Sequence, residues 1–351
     1  MSPANGTEGP AGETGHTGGG PVDGRLPLAE LHVHLEGTVP PALIQTLAER
    51  NGLKVPDGVF AGPDRFQWVD FLDFLRTYDL AASVIRTRQD YRDITYAYLM
   101  SCAAEGAIYV ELIVSPDHAA SVGLSDQDHY GGIADGIDDA RRDSGIEARM
   151  LATAIRNFGV EAALDIVRRE HHPYVVGFNL AGDEAGYPAS LFTEAYEVAA
   201  ANGLGCTCHA GEHDGAESVR QALALPGITR ISHGVRAIED PRLVEEIAER
   251  GIVLEVCPTS NVATGVFESY ETHPLRTLHE AGVKLTLGSD DPPYFGATIG
   301  GEYAVARERF GLEEGELKVI TRTAVQGSFA DDAVKRTLLN RITASSDRRS
   351  E

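Results

Sequence analysis

Two histidines separated by one residue, His32 and His34, lie near the start of the chain in the run LHVHLEG. On a strand, residues two apart point to the same face, so both imidazoles would enter one interior. Two buried imidazoles side by side need a shared cation, because polar groups leaving a strand inward are costly unless paired or bound to metal. His209 in CHAGE and Asp290 in SDDP supply a third nitrogen and a carboxylate, a donor set that suits zinc with one position left for water. Glu212 lies three residues past His209, out of easy reach of the same ion. Partial shielding from water would favour its neutral form and let it deliver a proton. His233, in SHGV, has the chemistry to orient or deprotonate a water on the metal. Asp291 follows Asp290 directly, so with Asp290 on the metal it points elsewhere and can meet a substrate. Pro292 stops the strand there and leaves both carboxylates on the rim.

These residues need a scaffold that brings distant segments to one place. Short β-rich runs at 29–34, 108–115, 148–155, 175–180, 203–209, 228–233, 252–258 and 283–289 alternate with helical patterns such as 190–202, 217–224, 241–250 and 275–281. Eight strands, each followed by helix, predict an α/β fold, a TIM (β/α)8 barrel whose strand C-termini form the active-site face. The polar residues named above close the first, fifth, sixth and eighth runs, so they would converge on that face. The long connection after the first strand must hold extra helices. One is expected over 66–78, where apolar residues recur at helical spacing, as a core helix or as a flap over the pocket. Residues 1–25, rich in Gly, Pro, Thr and Glu, and residues 343–351 are expected to be disordered tails around one domain at 26–342.

Composition narrows the function classes. The chain has 351 residues, 42% of them apolar, enough for one large core. No apolar run is long enough to span a membrane, and no basic segment followed by an apolar stretch suggests a signal peptide. A net charge of −23 argues against nucleic-acid partners and anionic membranes, and is indifferent to an uncharged substrate. Cys102, Cys206, Cys208 and Cys257 are too few and scattered for a disulfide framework, which fits a reducing cytoplasm. Cys206 and Cys208 flank a metal-binding strand but read as core packing. No P-C-x-x-C follows the H-x-E at 34–36, so the cytidine-deaminase type of zinc site is absent. Neither a Walker loop nor a dinucleotide fingerprint occurs.

Taken in order, LPLAELHVHLEGT (26–38), NLAGDE (179–184), CHAGEHDG (208–215), SHGVRAIED (232–240), CPTSN (257–261) and LGSDDPP (287–293) resemble the adenosine deaminase family of the amidohydrolase superfamily. The resemblance covers nearly all of residues 26–342. It implies a barrel of the metal-dependent hydrolase type with one Zn2+ per chain, held by His32, His34, His209 and Asp290. It makes Glu212 the acid that protonates purine N1 and His233 the base that orients the water attacking C6. Substrate contacts would come from His34, from Glu36, from the main chain of Gly182 at N3 and from Asp291 at N7. The implied reaction is hydrolytic removal of the 6-amino group of adenosine or 2′-deoxyadenosine, giving inosine and ammonia. A modified adenine nucleoside such as aminodeoxyfutalosine comes second, and free adenine third.

Two departures bear on this. Many adenosine-specific members carry Asp where this chain has Glu36, the position that contacts the ribose 5′-hydroxyl, and adenine-specific relatives carry Glu. The NLAGDE segment, in contrast, resembles the nucleoside enzymes. Ser232 stands where the family frequently has Gly before the catalytic His. A different superfamily reaction, on an amide or phosphotriester, often uses two metals bridged by a carboxylated lysine on the fourth strand. That strand reads VVGFNLAG, so a mononuclear site is expected. A catalytically inactive binding protein would not need every ligand and acid–base group, and all are present. Oligomeric state is left open.

Overall fold

The computed structural model describes residues 26–347. The tails expected at 1–25 and from 348 onward lie outside the described residues. Residues 343–347, expected to begin the C-terminal tail, instead continue the helix Asp332–Asp347.

The eight barrel strands are β1 Leu28–His34, β2 Ala107–Val114, β3 Glu147–Ile155, β4 Val175–Ala181, β5 in two pieces (Gly205–Cys206 and His209–Ala210), β6 Arg230–His233, β7 Val253–Val256 and β8 Lys284–Leu287. All neighbours are parallel, in one sheet from β1 to the first piece of β5 and a second from the rest of β5 to β8. Single bridges at Cys206–Ile228 and Val33–Asp290 join the two sheets at both seams, closing the TIM barrel. Strands such as β2, AIYVELIV, are buried along their whole length, as expected where a core fills the inside and helices cover the outside.

The run expected as one strand at 203–209 is broken for a topological reason. Its first part pairs with β4 (Phe178 opposite Cys206), its second with β6 (His209 opposite Ser232), and Thr207 and Cys208 make the transfer. All four cysteines are buried and unpaired, so the C-x-C packs the core.

The other seam fixes the first ligand pair. The His34 N–H donates to the Asp290 carbonyl at 2.9 Å, and the Asp290 N–H donates to the His32 carbonyl at 3.2 Å. Only a residue without a side chain fits at Gly288, where a Cβ would lie 2.5 Å from the His32 carbonyl oxygen.

The long connection after β1 holds a hairpin, Phe60–Gly62 with Arg65–Phe66, and then the helix Phe71–Ala82. The helix expected over 66–78 therefore starts later. Asp70 caps it by accepting from the Asp73 N–H at 2.9 Å, and Phe66 belongs to the hairpin. No helix among the described residues is long and apolar enough to cross a membrane.

Candidate active site

The barrel gathers the expected side chains on one rim. His32, His209, His233 and Asp290, all buried, each offer a ligand atom within 4.8 Å of one another. His34 falls in a second such group, with Asp290 and Asp291, so Asp290 joins the two. His34 Nε2 sits 3.1 Å from His209 Nε2 and 3.4 Å from Asp290 Oδ1, while His32 Nε2 is 3.3 Å from that same oxygen. Both ring nitrogens of His32 and the Nε2 of His233 are buried without a hydrogen-bond partner. Buried polar atoms are nearly always satisfied, so the orphaned Nε2 atoms of His32 and His233, both turned toward Asp290, fit a cation beside that carboxylate.

Neighbours orient these rings from behind. The His209 Nδ1 meets Asn179 Oδ1 at 3.0 Å, His233 Nδ1 meets Asn261 Nδ2 at 3.1 Å, and Ser260 donates to Asp290 Oδ2 at 2.6 Å. Such outer partners fix ring rotation and tautomer. Burial drives His34 down to about 4 and His209 well below its ordinary value, so both are neutral bases, as ligands must be. Asp290 and His233 both adopt φ of 62°, a strained conformation for residues other than glycine and one that collects at functional sites.

Glu212 is carried by a loop clamped by one carboxylate. Glu184, the last residue of NLAGDE, accepts from the backbone N–H groups of Gly211, Glu212, His213 and Asp214 and from the Ser218 hydroxyl. Glu212 Oε1 lies 3.6 Å from His233 Nε2 and 3.5 Å from His213 Nε2. Burial pushes the Glu212 carboxyl up, but His233 and His213 outweigh it and hold the group below its ordinary value. The sequence-based expectation that shielding would favour the neutral form is therefore reversed by two imidazoles. Asp291 goes the other way: burial, then the charges of Asp290 and Glu212, raise it well above the usual carboxylate range. A Cβ on Gly37 would sit 1.7 Å from Asp291 Oδ1, so a glycine there is what lets Asp291 lie across the pocket.

The cavity measures about 140 Å³ and is lined by His34, Glu36, Asp291, Gly182 and Glu212 on its polar side. Phe71, Phe74, Leu75, Tyr78 and Asp79 of the helix Phe71–Ala82 line another wall, so this helix is the flap as well as a packed element. Phe71 stacks on His213 with ring centroids 3.6 Å apart, pinning the flap to the Glu212 loop. Glu36 is fully engaged at the back of the cavity. It accepts from the Ser115 N–H at 3.2 Å and from the hydroxyls of Tyr78 and Tyr91 at 3.4 Å each, and it faces His129 Nε2 at 3.8 Å. Burial opposes its charge, yet His129 and His118 keep it below its ordinary value.

Several contributors escaped the sequence reading. Glu184 and Asn179 lie inside a motif that was recognised, and their buried polar type on a strand end was a usable signal. Arg156 carried none: fully buried, it donates to the main-chain oxygens of His209 and Tyr187. His118, His129 and Tyr91 reach the site from helices whose spacing says nothing of the pocket.

A parallel barrel with imidazoles and an aspartate converging on its C-terminal rim is the architecture of the metal-dependent hydrolases. The family is narrower: the adenosine deaminase family model matches residues 27–345, and the chain belongs to that family. It is 46% identical over 318 residues to an adenine deaminase of Chelativorans sp. (strain BNC1), covering 90% of this chain and 97% of that one. The adenine deaminase structure from Arthrobacter aurescens superposes with a TM-score of 0.85 at 31% identity, covering 92% of this chain and 100% of that chain. An amidohydrolase from Burkhoderia ambifaria, solved with bound Zn, gives 0.82 at 28% identity with 92% of each chain covered. The protein is thus a deaminase of the amidohydrolase type.

Proposed function

We propose that this chain hydrolyses free adenine to hypoxanthine and ammonia, in place of the adenosine that the family resemblance ranked first. The observation that carries this reading is Glu36. A residue recruited to hold a ribose hydroxyl needs a free acceptor, whereas this carboxylate is already shared among Ser115, Tyr78, Tyr91 and His129. It closes the end of the cavity. A cavity of roughly 150 Å³ takes one aromatic ring, so 140 Å³ matches a planar base better than a base with its sugar. Support also comes from relatives named adenine deaminase that align over nearly their full length.

His32, His34, His209 and Asp290 would hold one zinc ion, for which the orphaned nitrogens and paired neutral imidazoles are suited. When bound, zinc lowers the pKa of a coordinated water toward neutrality. His233 lies on the same rim, with its Nδ1 beside the Asn261 amide and its Nε2 without a hydrogen-bond partner, and it would orient a water held there and act as its base. Glu212, 3.6 Å away and held below its ordinary value by two imidazoles, would first take up a proton and then pass it to purine N1, which makes C6 more electrophilic. The Gly182 N–H would meet N3 and Asp291 would meet N7, turning the base so that C6 faces the metal side. Phe71, Phe74 and Leu75 exclude bulk water over the ring.

A substrate panel tests this directly, following the ultraviolet change from 6-amino to 6-oxo purine. Adenine is expected to give a kcat/KM at least about 100-fold above adenosine, a difference of roughly 2.7 kcal/mol in transition-state binding. Adenosine turning over as fast as adenine, or faster, removes the free-base assignment and restores the nucleoside.

A further inference from the structure

The serine that replaces the family's frequent glycine before His233 lies at the centre of a hydrogen-bonded arc behind two of the ligand imidazoles. Ser232 is fully buried on β6. Its hydroxyl donates to Glu255 Oε2 at 2.7 Å, and the same oxygen faces His32 Nδ1 at 3.7 Å. The Ser232 Oγ in turn accepts from Asn179 Nδ2 at 3.4 Å, and Asn179 Oδ1 meets His209 Nδ1 at 3.0 Å. Glu255 is held from below by Arg230, whose Nε lies 2.6 Å from Oε1. The Thr207 hydroxyl sits within 3.3 Å of both Ser232 Oγ and Glu255 Oε1.

The donor directions along this arc are forced. A carboxylate ion-paired to Arg only accepts, so the one hydroxyl proton of Ser232 goes to Glu255. The serine oxygen is then left as an acceptor, open to the Thr207 hydroxyl and to the Asn179 amide, and the amide can face it only with its NH2 end. The amide oxygen must therefore face His209, whose Nδ1 carries the proton. The opposite nitrogen, Nε2, keeps its lone pair toward His34 and the rim. We propose that Ser232 is a positioning residue which relays the orientation of Glu255 to His209 and so sets the ligating tautomer of that imidazole. The proposal rests on the metal-binding reading of the rim. With glycine or alanine at 232 the Asn179 amide loses its anchor, can rotate by half a turn, and would then stabilise the other tautomer, with a proton on Nε2.

The test uses the full chain and two readouts. Nitrogen-15 NMR of the metal-free, histidine-labelled protein reports the His209 tautomer, and competition with a chromophoric chelator reports zinc affinity. The parent is expected to show His209 protonated at Nδ1. Ser232→Ala and Ser232→Gly should populate the Nε2-protonated form and bind zinc about 10- to 100-fold more weakly, as removal of outer ligand partners does elsewhere. Ser232→Thr, which keeps the hydroxyl, should restore both. Since glycine is the residue relatives often carry here, a hydroxyl-free variant that folds is expected even if alanine packs poorly. An unchanged tautomer with zinc affinity within twofold of the parent in either hydroxyl-free variant overturns the relay, whatever happens to the melting temperature. A parent with the stated tautomer but no zinc uptake would instead sink the metal-binding reading and leave the relay standing.

Discussion

Two clusters of buried ionisable groups share the inside of one barrel, and they are built on opposite rules. The lower one consists of Arg230 between Glu111 and Glu255, with ion-pair distances of 2.6 Å on both sides and the ring of Phe329 stacked on the guanidinium at 3.7 Å. Tyr109 and the Phe329 N–H also donate to Glu111. It carries its own cation. The upper one, on the rim, has His32, His34, His209 and His233 beside Asp290, Asp291 and Glu212, and no Lys or Arg lines its cavity. Its imidazoles are mostly pushed neutral, its nitrogens are left unpartnered and its backbone is strained at His233 and Asp290. A cluster that supplies its own counter-ion holds the fold; one that has no cation and leaves hydrogen bonds unmet is waiting for something from outside. Glu255 touches both, which is how the lower cluster can steady the upper.

The largest expected effect separates the two by function. Glu212→Gln keeps the side-chain shape but cannot deliver a proton, so kcat should fall by at least about 100-fold, the lower end of general acid–base contributions. Zinc content by atomic absorption and melting temperature should stay close to the parent. A variant that keeps more than half of its activity takes Glu212 out of the chemistry.

Arg230→Met should show the reverse pattern. Removing the cation strands two buried carboxylates, and breaking a buried ion pair costs about 3–5 kcal/mol. The thermal midpoint should drop by about 4–7 °C. A variant melting within 2 °C of the parent would mean that the lower cluster is not structural, and the contrast drawn above would fail.

Glu302 sharpens the comparison at smaller scale, since it is a buried carboxyl with neither a cation nor a catalytic role. One oxygen accepts from the Thr259 N–H at 3.2 Å and the other has no partner. Burial raises its pKa to about 8. Because the folded value exceeds the unfolded one, the native state holds this proton where the unfolded chain has lost it. The group therefore lowers stability progressively as pH climbs from about 4.5 to about 8, by at most ~1.4 kcal/mol per unit. Glu302→Gln keeps an acceptor for Thr259 and removes the titration, so its gain over the parent in urea melts should be larger at pH 8 than at pH 5. Equal gains at both pH values would show that Glu302 does not titrate in this range.

How legible was all this in the sequence? The barrel was, because eight short apolar runs separated by helical patterns leave few alternatives, and all eight runs became strands within a few residues. The rim residues were legible too. An H-x-H on a strand, and acids or histidines at strand ends, are costly in a packed barrel unless they are used. Boundaries were less so: Asp70 moved the flap helix to Phe71, and a change of pairing partner split β5. The proposed order of substrates, with free adenine ahead of adenosine, turns on Glu36. One methylene more than Asp suggests only a shifted contact, while the four groups that occupy its carboxylate come from Tyr78, Tyr91, Ser115 and His129, spread over three helices and the end of a strand.

Residue type and local spacing thus determined which side chains could bind metal or move protons, since those are properties of single groups and of strand periodicity. Tertiary structure decided how each group is charged and what it is free to touch. His213 draws Glu212 down, Asp290 and Glu212 help push Asp291 up, and Ser232 reaches both Glu255 and Asn179. Those outcomes depend on burial and on charges brought within a few Å from distant parts of the chain, and Coulomb and desolvation energies have no counterpart in linear order.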